Sequence, residues 1–144
     1  MEVTIGQGSD LIEKAQAIRY QVFTVEQQIP NELDFDGLDG VSVHVLVVEQ
    51  EQAIATARLC INADGSSVMA RVAVIEKYRG HGVASVVVQA LMSYAENQDV
   101  NSIEIHAHGY LQGFYEGFGF EFIQEVEVVG EHQLIEMRYQ IGRT

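Results

Sequence analysis

The sequence predicts one mixed α/β domain spanning 1–144, and three observations carry that reading. The chain has 144 residues, 47% of them hydrophobic and 20% charged, enough to bury a real core in one unit. It shows no internal repeat and no linker, and a single Pro beside 13 Gly excludes low complexity. Strand-period and helix-period segments follow one another as β-α, several β, then α-β-α-β-β. That order departs from the regular alternation of a doubly wound sheet.

Taken in order, Ser9 has the residue type of a helix N-cap, with Asp10 and Glu13 in the first turn. Leu11, Ala15, Ile18 and Val22 follow at helical spacing. The stretch 27–40 breaks the pattern with Pro30, Asn31 and a string of acids, and is expected to be a loop. Runs 43–48 and 54–61 are β-rich and separated by Glu-Gln-Glu-Gln, which predicts a hairpin. A second turn at 63–66 leads into a strand over 68–75, apolar except for Arg71 and so suited to burial on both faces. Val83, Val87, Ala90, Leu91 and Tyr94 mark a helix, and 102–106 a short strand. Leu111, Phe114, Tyr115 and Phe118 mark another helix, ended by Gly117 and Gly119. Ile135, Met137, Tyr139 and Ile141 alternate with polar residues and predict a half-buried strand.

The formal charge of −13 argues against a nucleic-acid face, which needs clustered Lys and Arg. Between Arg19 and Arg58 there is no Lys or Arg, while Glu26, Glu32, Asp34, Asp36, Asp39, Glu49 and Glu51 all fall there. An acidic cleft for a cationic substrate is one reading; a solubilising acidic surface is the other. The apolar runs are too short to span a bilayer, and Met1-Glu2 does not open a secretory signal. Cys60 is alone, so no intrachain disulfide forms, and a cytoplasmic location is expected.

The most informative stretch is Tyr78-Arg79-Gly80-His81-Gly82-Val83-Ala84-Ser85. As a dinucleotide fingerprint it is weak: Ser85 stands at the last Gly position, and three strands precede it. A helix-start turn without a ligand is the bland alternative. With its neighbours it reads differently. Arg79 to Ala84 resembles Arg/Gln-x-x-Gly-x-Gly/Ala, the pyrophosphate motif of the GNAT superfamily of N-acetyltransferases. Arg71-Val72-Ala73-Val74 before it resembles that family's central strand. Phe114-Tyr115-Glu116-Gly117-Phe118-Gly119-Phe120 after it resembles Phe-Tyr-x-x-x-Gly-Phe. Arg19, Val22-Phe23, Val25-Glu26-Gln27, His44 and Tyr110-Leu111-Gln112 are similar to the ElaA-like branch, so the resemblance runs through nearly the whole chain.

This resemblance implies the GNAT acyl-CoA N-acyltransferase fold, a mostly antiparallel sheet splayed at the cofactor site and flanked by helices. It implies acetyl-CoA or coenzyme A as co-substrate, with no metal. Backbone groups of Val72, Ala73 and Val74 would pair with the pantetheine arm, and one amide would polarise the thioester carbonyl. Arg79, Gly80, His81, Gly82, Val83, Ala84 and Ser85 would cradle the pyrophosphate, largely through backbone amides at a helix N-terminus. Such a cradle lets an acidic protein bind an acidic ligand.

Tyr115 falls where the family's Tyr protonates the departing thiolate, although its ring also completes an apolar stripe. His108 stands where relatives carry Asn or Gln against the cofactor. His106 is a candidate base for the amine, with His44, Glu26 and Glu32 as further candidates. Arg71 is read as an internal salt-bridge partner rather than a substrate ligand, and Cys60 as a small buried hydrophobe. The tail departs from Gly-x-Pro-His-x-x-Met, lacking the Pro and displacing His132, so a different acceptor pocket is expected. The function expected is N-acetylation of a small-molecule or peptide amine by direct attack in a ternary complex. The alternative is a non-catalytic acyl-CoA-binding module. No membrane partner is expected, and a homodimer is supported only by the β-rich tail.

Overall fold

A computed structural model describes residues 1–141. Seven strands form one sheet in the order β1-β2-β3-β4-β5-β7-β6, spanning Glu2–Gly6 (β1), Val43–Glu49 (β2), Gln52–Ile61 (β3), Ser66–Val74 (β4), Ser102–His108 (β5), Glu121–Val129 (β6) and His132–Gln140 (β7). Every neighbouring pair is antiparallel except β4 and β5. The helices are α1 (Ser9–Arg19), α2 (Asn31–Asp34), α3 (Val83–Glu96) and α4 (Gln112–Glu116). This is the mixed, mostly antiparallel sheet that the sequence predicts.

Local chemistry explains most boundaries. Gln50 and Glu51 both adopt left-handed backbone angles (φ 48° and 66°), which closes the β2–β3 hairpin with the twist a two-residue turn needs. The N-cap of α1 is Gly8, in extended conformation and without a side-chain bond, so Ser9 is the first helical residue rather than the cap. The apolar stripe of α1 continues past Arg19 into a wider π-helical segment over Tyr20–Glu26, which buries Val22. Within the expected loop, residues 31–34 form one short helical turn and 39–41 a 3-10 turn.

Both α1 and α3 pack on β2, β3 and β4, and α1 lies on the face that carries Arg58, since Arg19 and Arg58 share Asp39. The core joins Ile18 and Val22 to Val45, Val47, Ile54 and Leu59 from the sheet and to Val87, Leu91 and Met92 from α3. Alternation along β5 buries Ile103, Ile105 and Ala107 and turns Glu104, His106 and His108 to the other face. At the far edge, β6 is exposed along almost its whole length, and Glu121, Glu125 and Glu127 charge that free edge. No helix among the described residues is long and apolar enough to cross a membrane.

Candidate active site

The site begins where a ladder stops. β4 and β5 pair over only three positions, Ser66 with Ser102, Ser67 with Ile103 and Val68 with Glu104. Beyond them the parallel strands diverge, leaving a gap between residues 69–74 and 105–108. Two helices begin at the open mouth: α3 after β4, and α4 after β5. Ligands in α/β sheets settle at such a parting of parallel strands, at their carboxyl ends.

One irregularity shapes the β4 side of this gap. Arg71 and Val72 together oppose Ala57 alone, a β-bulge with Arg71 at φ 59°. After the bulge, the Ile75 amide bonds the Ile54 carbonyl at 3.0 Å, so Ile75 and Ala73 turn their backbone groups towards β3. Val72 and Val74 therefore turn theirs towards the gap. Of the three residues expected to meet an extended arm, two present their backbone to it.

The Gly motif lies at the mouth. Gly80 (φ 81°) and Gly82 (φ 79°) are left-handed, and Gly82 is the N-cap of α3. A Cβ at either position would meet nothing within 4 Å, so it is conformation, not crowding, that demands Gly within the protein itself. The first amide bonded back into α3 is that of Val86, to the Gly82 carbonyl at 3.3 Å. Among the described residues the amides of Val83, Ala84 and Ser85 find no backbone partner, a donor set aimed out of the helix start. We expect Gly82→Ala to lower stability by about 1–2 kcal/mol through the left-handed penalty alone, measurable by urea unfolding.

Arg79 does not stand free beside these amides. Its Nε donates to the Val74 carbonyl at 2.9 Å, and its Nη2 lies 2.8 Å from Glu26 Oε2 on the π-helical segment. His81 is exposed.

Across the gap, Tyr115 is 5% exposed, with Phe114 and Phe120 edge-on at ring centroid distances of 5.0 and 5.7 Å. Burial pushes its hydroxyl up to about 12, so at neutral pH it is a proton donor and not a base. His108 has its Nδ1 buried without a hydrogen bond among the described residues. Its ring meets His132 edge-on at 4.7 Å and Tyr110 at 5.4 Å. Burial, then the neighbouring His132, lowers its pKa and keeps it neutral. The tail histidine, His132, thus packs against His108 at the end of β5.

His106 lies on the opposite face of β5 from the residues that share a core with Tyr115. Its Nε2 is 3.0 Å from Glu104 Oε2, which leaves Nδ1 for other work. His44 is fully buried, with Nε2 3.0 Å from the Asp39 carbonyl; burial lowers its pKa and the fold encloses it.

Asp34, Asp36 and Asp39 meet neither expectation, whereas Glu32 and Glu51 stay exposed. Arg19, 1% exposed, bonds the Asp34 carboxylate through Nε and Nη2 at 2.8–3.1 Å and Asp39 through Nη1 at 2.9 Å. Arg58 bonds Asp39 at 3.0 Å and pairs with Asp36. Arg71 reaches Asp34 at 3.0 Å and Asp36 at 3.4 Å. Three carboxylates are spent on three guanidiniums, clamping residues 31–39 onto the face that carries Arg58. They are neither a cation-binding cleft nor a solubilising surface. Cations missing from the stretch were the signal, since its partners had to come from α1, β3 and β4.

Comparison with known proteins places this geometry. A family model described as an acetyltransferase (GNAT) domain matches residues 11–141, nearly the whole chain. The chain belongs to the GNAT acetyltransferase family. Among its relatives is protein ElaA of Escherichia coli, 32% identical over 113 residues that cover 76% of this chain and 74% of that one. The crystal structure of ElaA superposes with a TM-score of 0.86 at 26% identity, over 96% of this chain and 99% of the other. The uncharacterized N-acetyltransferase YjcF of Bacillus subtilis is 26% identical over 127 residues, 88% of this chain and 90% of its own. An acyl-CoA N-acyltransferase from Pseudomonas aeruginosa gives a TM-score of 0.85 at 28% identity, covering 96% and 98% of the two chains.

GNAT proteins use acetyl-CoA, and the residues present fit it. The open space over Gly80 and Gly82, three unpaired amides at the start of α3, and the unpaired edge of β4 supply a cradle and a track. The similarity to ElaA matches the branch that the sequence motifs indicate.

Proposed function

We propose that this GNAT protein is a cytoplasmic, single-domain N-acetyltransferase that transfers an acyl group from acetyl-CoA to a primary amine. The observation that carries it is the parting of β4 and β5 with unpaired α3 amides at its mouth. Bound there, the thioester supplies an acyl group ready for attack by nitrogen. The amides of Val83, Ala84 and Ser85 hold the pyrophosphate, with Gly80 and Gly82 opening the approach. The backbone of Val72 and Val74 lines the arm, and a β4 amide polarises the acyl carbonyl.

The amine must arrive neutral, since an ordinary ammonium has a pKa of about 10.4. His106, with Nε2 engaged by Glu104, would take that proton at Nδ1; the free Nδ1 supports this reading. As the new C–N bond forms and the C–S bond breaks, the Tyr115 hydroxyl gives its proton to the leaving sulfur, and the extra proton shed by the acylated nitrogen restores the hydroxyl. His108 lines the cofactor side. The acceptor is a small-molecule or peptide amine, and neither nucleic acid nor a membrane takes part.

The test is direct. Titration calorimetry should show saturable acetyl-CoA binding, and a thiol-release assay across an amine panel should show coenzyme A production. A protein that binds acetyl-CoA tightly and turns over none of the panel would instead be an acyl-CoA-binding module, a reading favoured only by His108 and the altered tail. Absence of binding removes both.

A further inference from the structure

The guanidinium in the anion motif is engaged within the protein. Arg79 engages the Val74 carbonyl with Nε and the Glu26 carboxylate with Nη2, which commits one whole edge of its fork to the protein. The Val74 carbonyl faces the gap, so Arg79 closes the last backbone acceptor of β4 just before the cradle. Glu26 ends the π-helical segment that continues α1. Its other oxygen, Oε1, is buried with no hydrogen bond among the described residues, as is Oγ1 of Thr24 two residues before it. Arg79 is the counter-charge of this half-buried carboxylate.

Electrostatics makes this arrangement informative. A carboxylate beside a pyrophosphate site repels the ligand, and pairing the motif's cation with it cancels attraction the ligand would otherwise receive. If Arg79 served as a phosphate ligand, Glu26 would be a pure liability. The geometry points to another role, and we propose that Glu26 is a positioning residue for the cofactor cradle. Its ion pair holds Arg79 as a strut between the end of β4 and the π-helical segment. That strut fixes the 79–82 turn so that the amides of Val83, Ala84 and Ser85 receive the pyrophosphate. The inference rests on the acetyl-CoA reading above and adds to it a residue from the π-helical segment. It also assigns the motif's Arg to architecture rather than to charge.

The two roles predict opposite signs. Calorimetric coenzyme A affinity should weaken about tenfold in Glu26→Gln, the loss of one charge-assisted hydrogen bond. A strut also needs the fork, since Lys is a point charge that does not bridge two acceptors. Arg79→Lys should therefore lose as much as Arg79→Ala, and the double variant Glu26→Gln/Arg79→Ala no more than either single change. In Glu26→Gln the KM for S-acetylpantetheine, which lacks the pyrophosphate, should rise much less than the KM for acetyl-CoA, whereas general loosening of the fold would raise both equally. Tighter coenzyme A binding in Glu26→Gln, retention of affinity in Arg79→Lys, or an equal KM rise with S-acetylpantetheine would each overturn the proposal. Failure of the unaltered protein to bind coenzyme A would remove the acyltransferase reading with it. Normal binding by the unaltered protein with any of those three results removes the strut alone.

Discussion

Tyr115→Phe is expected to lower kcat by roughly 100- to 1000-fold while acetyl-CoA affinity changes little. The substitution deletes a single oxygen and keeps the ring against Phe114 and Phe120, so urea unfolding should move by less than about 1 kcal/mol. What is lost is the proton that neutralises the departing thiolate. Burial is the sole cause of the raised pKa of Tyr115, with no charged neighbour contributing, so the hydroxyl stays protonated until the pH nears about 12. The rate should therefore climb with pH as the amine loses its proton. No descending limb from Tyr115 should appear within the working range. A variant retaining full kcat would leave Tyr115 as a packing residue only. A large loss of acetyl-CoA affinity would make it a binding residue instead.

The fold and the glycine turn before α3 were legible because they are written in local patterns. The hairpin shows in two β-rich runs around Glu-Gln-Glu-Gln, and α3 in its apolar spacing behind Gly80 and Gly82. The left-handed angles at those two positions are the backbone reason for the glycines. The parts that could not be read depend on partners far apart in the chain. Asp34, Asp36 and Asp39 look like free acids until α1 supplies Arg19, β3 supplies Arg58 and β4 supplies Arg71. Arg79 looks like a free cation until the fold brings Glu26 to it. Ser9 has the right chemistry for a cap, but the extended residue is Gly8, one position earlier. The widening of α1 into a π-helix was hidden for a different reason. Val22 falls on the same stripe at either pitch, so periodicity could not distinguish them.

The clamp carries the second large prediction. Asp39→Asn should cost about 3 kcal/mol of stability, because it withdraws the charge that Arg19 and Arg58 share while both guanidiniums stay buried. Asp34 and Asp36 still hold the two arginines, which keeps the loss at the low end for a broken buried pair. Burial alone would raise the Asp39 carboxyl. Hydrogen bonds from Arg19 and Gln16, with the charge of Arg19, overcome that and hold it well below the usual carboxylate range. Asp36 is lowered chiefly by its bond from Arg58. Both groups bind protons less readily folded than unfolded. Their contribution is therefore complete above the ordinary carboxylate value of about 3.9 and is lost as the pH falls through their folded values. His44 adds an earlier step. Burial lowers its pKa, so stability should begin to fall as the pH drops below about 6.5, where the unfolded chain starts to take up that proton. Urea midpoints measured from pH 8 downward should thus decline in two stages. Asp39→Asn should flatten the acidic stage while leaving a loss below pH 6.5, and an unchanged acidic stage would show that Asp39 does not govern it. Because the clamp seats residues 31–39 on the same face as His106, loosening it should also raise KM for the amine more than KM for acetyl-CoA.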